Sequence, residues 1–367
     1  MWACAPGSRG SGSGRSPDRR RVRGFAARVR IFDGHNDALS RIARSGRPDA
    51  PAGFLAGDGD GHLDLARAAA AGLAGGCFAV FTCPPPADAY HDGSYFAAAP
   101  HGAAWHEAMI QVGLLLRLER QSGGRIRVAR RAADLDGPGL AAVLHLEGAE
   151  PIGPRLDELE LLHGAGLRSL GLTWSRPNAF ATGVPFEFPG SPDAGPGLSA
   201  DGRALVAACN ELGILVDVAH LNARGFWDVH AIQDGHRPLV CSHAGAHALS
   251  PSPRNLTDDQ LRAIGESGGL VGINFHTGFL RADGAEDPDT PQDLIVAHAA
   301  YVAEVAGIGA VALGSDFDGA TMPAELGDVA GLPALLEAFR AAGFGDADLV
   351  RIAHGNWRRV LEATWTA

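Results

Sequence analysis

Eight short apolar runs recur along this chain, at residues 30–33, 75–82, 140–146, 167–174, 214–219, 238–242, 270–276 and 310–315, with segments of helical spacing between most of them. Strands that alternate with helices pair in parallel, because each helix carries the chain back across the sheet. Eight such units predict an α/β fold, the (β/α)8 TIM barrel, over residues 30–367 as a single domain. A length of 367 residues is compatible with that reading, since single barrels reach this size.

The residues at the ends of these runs carry the chemistry. The first run stops at Gly34 and is followed by His35-Asn36-Asp37. In an extended segment residues i and i+2 share a face, so His35 and Asp37 are expected to converge on one cation with no turn between them. Alone, a His-x-Asp triplet is more often a polar strand end. The third run, however, leads to Glu147, the fifth to His220, the sixth to His243 and the eighth to Asp316. In such barrels the C-terminal ends of the strands open into one mouth, so these six side chains are expected to meet there. His145, on the same strand face as Glu147, reads either as support for a ligand or as a packed interior residue. His276 is a candidate for lining the pocket, and Asp217, odd-spaced from His220, is assigned to the outer layer of the barrel. Residues 178–201, rich in Gly, Pro, Ser and Asp, are too long for a simple connection and are expected to form a lid or substrate loop.

Composition excludes several functions. All 31 basic residues are Arg, which rules out Schiff-base chemistry, a P-loop lysine and a carbamylated lysine between two metals; any bridge must be a carboxylate. A net charge of −11 argues against a nucleic-acid partner, and no apolar run is long enough to span a bilayer. Residues 1–29 are a Gly/Ser/Arg-rich basic extension, expected to be disordered because it can bury little apolar surface. It has no secretory apolar stretch, so a cytoplasmic location is expected. Five scattered cysteines without CxxC spacing argue against a disulfide framework or a cysteine zinc site.

Several motifs, taken together and in order, resemble the membrane (renal) dipeptidase family of binuclear zinc peptidases. They are Asp33-Gly34-His35-Asn36-Asp37, Glu147-Gly148, Leu172-Thr173 with Asn178, Gly197-Leu198-Ser199, Asp217-Val218-Ala219-His220, Ser242-His243, Arg254-Asn255, Gly314-Ser315-Asp316-Phe317-Asp318-Gly319 and Gly355-Asn356. The resemblance implies two Zn2+ ions, one held by His35 and Asp37, the other by His220 and His243, with Glu147 bridging and a shared hydroxide as nucleophile. Manganese or cobalt would accept the same donors. It further implies that Asp316 passes the water's proton to the departing amine, that Arg254 grips the substrate's free carboxylate, and that Asn178 contacts substrate. Asp318 is expected to orient its loop.

Two departures from the family's pattern fall on the substrate side. Trp174 stands where well-known members carry a histidine after the Leu-Thr pair, and Phe279 where they carry a tyrosine. Tryptophan cannot act as an imidazole acid, so changed substrate contacts are expected with catalysis retained. The leading reading is a metal-dependent dipeptidase acting on small dipeptides, including those with a D-residue at the C-terminal position. The competing readings are a binuclear amidase acting on N-acyl amino acids, β-lactams or a specialised metabolite, and a non-catalytic metal-binding barrel. The expected partner is a small dipeptide, with no nucleic acid and no membrane; a homodimer is an open alternative to a monomer.

Overall fold

Each of the eight apolar runs forms a parallel strand in the computed structural model, which describes residues 29–82 and 96–365. In chain order the strands are β1 (Ile31–Asn36), β2 (Leu73–Phe81), β3 (Ile126–Val128), β4 (Leu140–Glu147), β5 (Leu167–Gly171), β6 (Leu215–Asp217), β7 (Val240–Ala244), β8 (Leu270–Ile273) and β9 (Val311–Leu313). Strand β3 was not expected: three residues are too short to register as an apolar run. It pairs with the first half of β4, from Ile126 opposite Leu140 to Val128 opposite Ala142, and β5 takes over along β4 from Leu144. The basic extension lies outside the described residues save Val29, as does the run of prolines after Cys83.

The sheet runs β1-β2-β4-β5-β6-β7-β8-β9 and returns nearly to its start, a barrel of eight parallel strands. Its seam is tied at Asn36 and Phe317 by an isolated bridge. The Asp316 N–H donates to the His35 carbonyl (3.0 Å), and the Asp37 N–H to that of Phe317 (2.8 Å). Asp33 reinforces the seam from inside: its carboxylate accepts the Ser315 N–H (2.7 Å) and hydroxyl (2.9 Å).

Period-two alternation divides the barrel's interior from its helical jacket. In β4, Ala142, Leu144 and Leu146 join the large core beneath the helices, whereas Ala141 and Val143 belong to a smaller cluster with Phe32, Cys77, Leu215, Val240 and Trp357. His145 and Glu147 continue the inward series toward the mouth. The inner cluster is plugged from below by Trp357, on the helix Asn356–Thr364, whose indole N–H donates to the Leu313 carbonyl (2.9 Å). Gly34 lies against that plug. A β-carbon there would sit 2.5 Å from the Trp357 ring and 2.6 Å from the Ser242 carbonyl, so the break in the first apolar run is a packing requirement.

Helix ends follow local chemistry. The helix Ala200–Leu212 starts at Ser199, whose hydroxyl accepts the Gly202 N–H (3.0 Å), and stops at Gly213 in the left-handed conformation. Among the described residues no helix is long and apolar enough to cross a membrane.

Candidate metal centre

Strand β1 ends at Asn36, and Asp37 belongs to the turn that starts the helix Ala38–Arg44. The extended His-x-Asp arrangement expected from sequence is therefore replaced by a bend. Backbone angles of φ −102° and ψ 23° at Asp37 bring its Oδ2 to 3.4 Å from His35 Nε2. His35 and His243 each lie within a register irregularity, between Asp33 and Asn36 and between Cys241 and Ala244. Such irregularities re-aim a side chain. His220 and Asp316 follow β6 and β9 in left-handed backbone, at φ 64° and 63°. Non-glycine residues pay a strain for that conformation, and strain of this kind concentrates at functional sites.

All six expected side chains converge. The Nε2 atoms of His220 and His243 are 3.1 Å apart, and Glu147 Oε1 lies 3.1 Å from the first and 3.7 Å from the second. Glu147 Oε2 turns the other way, to 3.5 Å from His35 Nε2. Two ligand atoms about 2.0–2.1 Å from one tetrahedral ion lie roughly 3.3–3.4 Å apart. The observed spacings match that separation in two sets, His35/Asp37/Glu147 and Glu147/His220/His243. Asp316 has a carboxylate oxygen near His35 and His243, and its Oδ2 accepts from Asn274 Nδ2 (2.9 Å). The mouth stays open beside it because residue 319 is glycine; a β-carbon there would fall 2.2 Å from Asp37 Oδ2.

Hydrogen bonds behind the cluster settle which histidine nitrogens face it. The Ser242 hydroxyl donates its single proton to Asp217 Oδ2 (2.5 Å), so Oγ must accept from His243 Nδ1 (2.7 Å), and His243 Nε2 keeps its lone pair for the centre. Ser175 Oγ lies 2.9 Å from His220 Nδ1 in the same position. Asp217 is therefore inside the barrel, not in the outer layer assigned to it from spacing. Its other oxygen accepts the N–H groups of Ala219 and Ser242, and Oδ2 lies 3.7 Å from His145 Nε2. His145 itself bonds Ser169 through Nδ1 (2.8 Å) and packs edge-on against His35. Ser242→Ala is expected to weaken zinc affinity by about 10- to 100-fold, the usual effect of losing a residue that orients a ligand. Competition against a chromophoric chelator measures it; unchanged affinity would mean that the tautomer is held some other way.

The electrostatics demand positive charge. Burial pushes the Glu147 carboxyl up to about 7 despite the pull of His35, with Asp37 and Asp316 adding to the rise. Burial raises Asp37 as well. His35 is held well above its ordinary value, because the carboxylates of Glu147 and Asp37 outweigh the lowering effect of burial. His220 and His243 are driven well below theirs, by burial first. Burial thus favours the neutral, lone-pair-bearing form of both imidazoles, beside buried carboxyl groups whose charge a cation would offset. Both ring nitrogens of His35 are buried without a hydrogen-bond partner among the described residues. Orphaned ring nitrogens, neutral imidazoles and crowded carboxylates suit divalent cations at two positions that share Glu147.

A cavity of about 1050 Å³ opens above the cluster. Trp174 and Phe279 line it, together with Phe186 and Glu187 from the 178–201 segment, which forms part of the wall. His276 lines it too, edge-on to Phe279. Asn178 does not reach it: its amide donates to the Leu172 carbonyl (2.7 Å) and accepts from the N–H groups of Phe180 and Ala181, an Asx turn that shapes the loop. Arg254 lies one layer back, 3% exposed. Its guanidinium sits 5.3 Å from the Phe279 ring centre, donates to the His243 carbonyl (3.1 Å), and makes no ion pair among the described residues. Asp318 ties its loop down through the His62 N–H (2.6 Å) and Arg41 Nε (2.9 Å).

Ser175, Asn274 and Phe186 were missed from sequence. Asn274, the one polar residue inside the apolar run 270–276 before its terminal His276, carried a usable signal; Phe186, in a Gly- and Pro-rich segment, carried none.

Residues 19–367 match the family described as membrane dipeptidase (peptidase family M19). The chain is 48% identical over 261 residues to an uncharacterized protein in the pqqA 5′ region of Klebsiella pneumoniae, a match covering 70% of this chain and 95% of that one. It is 34% identical over 223 residues to dipeptidase aclJ of Aspergillus oryzae, covering 60% and 51%. Its structure superposes with a TM-score of 0.86 on a metallopeptidase from Rhodobacter sphaeroides liganded with a phosphinate mimic of L-Ala-D-Ala. That match is 44% identical and covers 92% of this chain and 99% of the other. With a match over nearly its whole length and a ligand cluster built for metal, the chain belongs to the membrane dipeptidase family and is a metallo-dipeptidase.

Proposed function

We propose that the protein hydrolyses the peptide bond of small dipeptides, including those with a D-residue at the C-terminal position, with two zinc ions shared by Glu147. The observation that carries this reading is the division of Glu147: one carboxylate oxygen faces His220 and His243, the other His35. When bound, the ions supply Lewis acidity for the scissile carbonyl and acidify the attacking water. Imidazole and carboxylate donors in sets of three suit zinc. The D-residue is supported by the L-Ala-D-Ala mimic on the Rhodobacter sphaeroides relative.

The chain's own groups supply the rest. Asp316, oriented by Asn274 and next to His35 and His243, takes the proton of the attacking water and returns it to the departing amine. Arg254 is a buried cation with no carboxylate partner among the described residues, and its field favours the substrate's free carboxylate on the Phe279 side of the cavity. Ser242 and Ser175 hold His243 and His220 in place.

The test is a dipeptide panel with chelator-stripped and zinc-reloaded protein. Stripped protein should be inactive, and reloading should restore cleavage of L-Ala-L-Ala or L-Ala-D-Ala. A reloaded protein that cleaves N-acyl amino acids but no dipeptide would transfer the site to the amidase reading.

A further inference from the structure

One wall of the cavity is a continuous arc of aromatic rings beside the metal centre. Trp174 stacks on Phe96 (centroids 5.6 Å apart, planes 10°), meets Phe186 edge-on (5.3 Å, 82°) and tilts against Phe81 (5.4 Å). Phe186 continues the arc to Phe279 at 6.0 Å. The arc touches the ligand set directly, since the His220 ring lies 5.9 Å from Trp174 and 6.4 Å from Phe186. A side chain branching from a substrate held at the centre would meet it.

The wall is formed in advance. Behind it, Arg176 is fully buried, its guanidinium 5.6 Å from the centres of both Phe81 and Trp174. Arg176 is fixed by Glu150 (2.7 Å) and by the Thr82 carbonyl, and its N–H donates to the Trp174 carbonyl (2.8 Å). The loop at Gly183 presses on the same carbonyl: a β-carbon there would lie 1.8 Å from it. In front, Phe186 is 40% exposed and Phe188 38% exposed, two of the few large apolar side chains among the described residues that face solvent. Apolar surface left wet beside a reaction centre gains by being covered. The cavity volume is also at the upper end of the range for drug-sized ligands, more than two small residues fill.

We infer that this wall makes the enzyme selective for dipeptides carrying a large apolar side chain, above all an aromatic one, over dipeptides of two small residues. The inference rests on the dipeptidase reading above. One methylene in an apolar pocket changes kcat/KM by about 10- to 200-fold, so a phenyl ring against four or five aromatic neighbours carries a measurable preference.

The experiment compares kcat/KM of the zinc-loaded enzyme for L-Ala-D-Ala, L-Phe-D-Ala and L-Ala-D-Phe and their all-L counterparts. At least one placement of phenylalanine should exceed the matching Ala-Ala substrate by fivefold or more. Phe186→Ala and Trp174→Ala should each cut that ratio at least threefold, and Trp174→Phe should restore most of it. Phe186, half in solvent, can be truncated without threatening the fold. A ratio below fivefold for both placements overturns the inference, as does a ratio that Phe186→Ala changes by less than threefold. In either case cleavage of Ala-Ala would leave the dipeptidase reading standing. If no dipeptide at all is cleaved, the reading falls and the inference with it.

Discussion

Glu147→Gln is expected to reduce kcat/KM by about a thousandfold or more and to lower the zinc content from about two ions per chain to about one. The replacement keeps the volume and one carbonyl oxygen. It swaps the other oxygen for an amide nitrogen, which has no lone pair to offer a cation, and it removes a negative charge from the point where the two ligand sets meet. Loss of Lewis-acid stabilisation of developing charge costs several kcal/mol, and each 1.36 kcal/mol is a factor of ten. Metal analysis and steady-state kinetics on one preparation check both halves of the expectation. A variant with two ions and near-native turnover would show that Glu147 bridges nothing of catalytic consequence.

Asp316→Asn is expected to lower kcat by roughly 10²- to 10⁴-fold, the usual weight of a positioned acid–base group, with KM little changed. The amide retains an oxygen to accept from Asn274, so the loop should keep its shape. What it loses is the capacity to hold the water's proton. Metal content separates this role from a ligand role, because Asp316 also stands within ligand distance of His35 and His243. Retained zinc with collapsed kcat supports proton transfer. Lost zinc would make Asp316 a ligand, and unchanged kcat would remove it from the mechanism.

The six side chains of the mouth were legible because a barrel imposes a simple rule: whatever follows a strand faces the opening. The absence of lysine pointed only to a carboxylate as the bridge; the choice of Glu147 came from the family resemblance, and its position between the two ligand sets is compatible with it. Asp217 was misread because odd spacing from His220 was taken as an outward face, whereas β6 ends at Asp217 and the chain turns before His220 in left-handed backbone. Asp37 was placed on an extended segment for the same reason: sequence spacing carries no record of where a strand gives way to a turn. Asn178 has the residue type of a substrate contact, but its amide is consumed by the loop that carries it.

The amino-acid sequence by itself determined the barrel, the order of its eight main strands and which side chains meet at its mouth, because periodicity and strand-end position are local properties of a chain. Only the tertiary structure decided how Glu147 divides its two oxygens, which histidine nitrogens face the centre, and which aromatic rings form the cavity wall. Those outcomes depend on distances of a few ångströms between residues as much as 112 positions apart, as His35 and Glu147 are. Such distances are set by barrel closure and side-chain packing, and no stretch of the sequence encodes them alone.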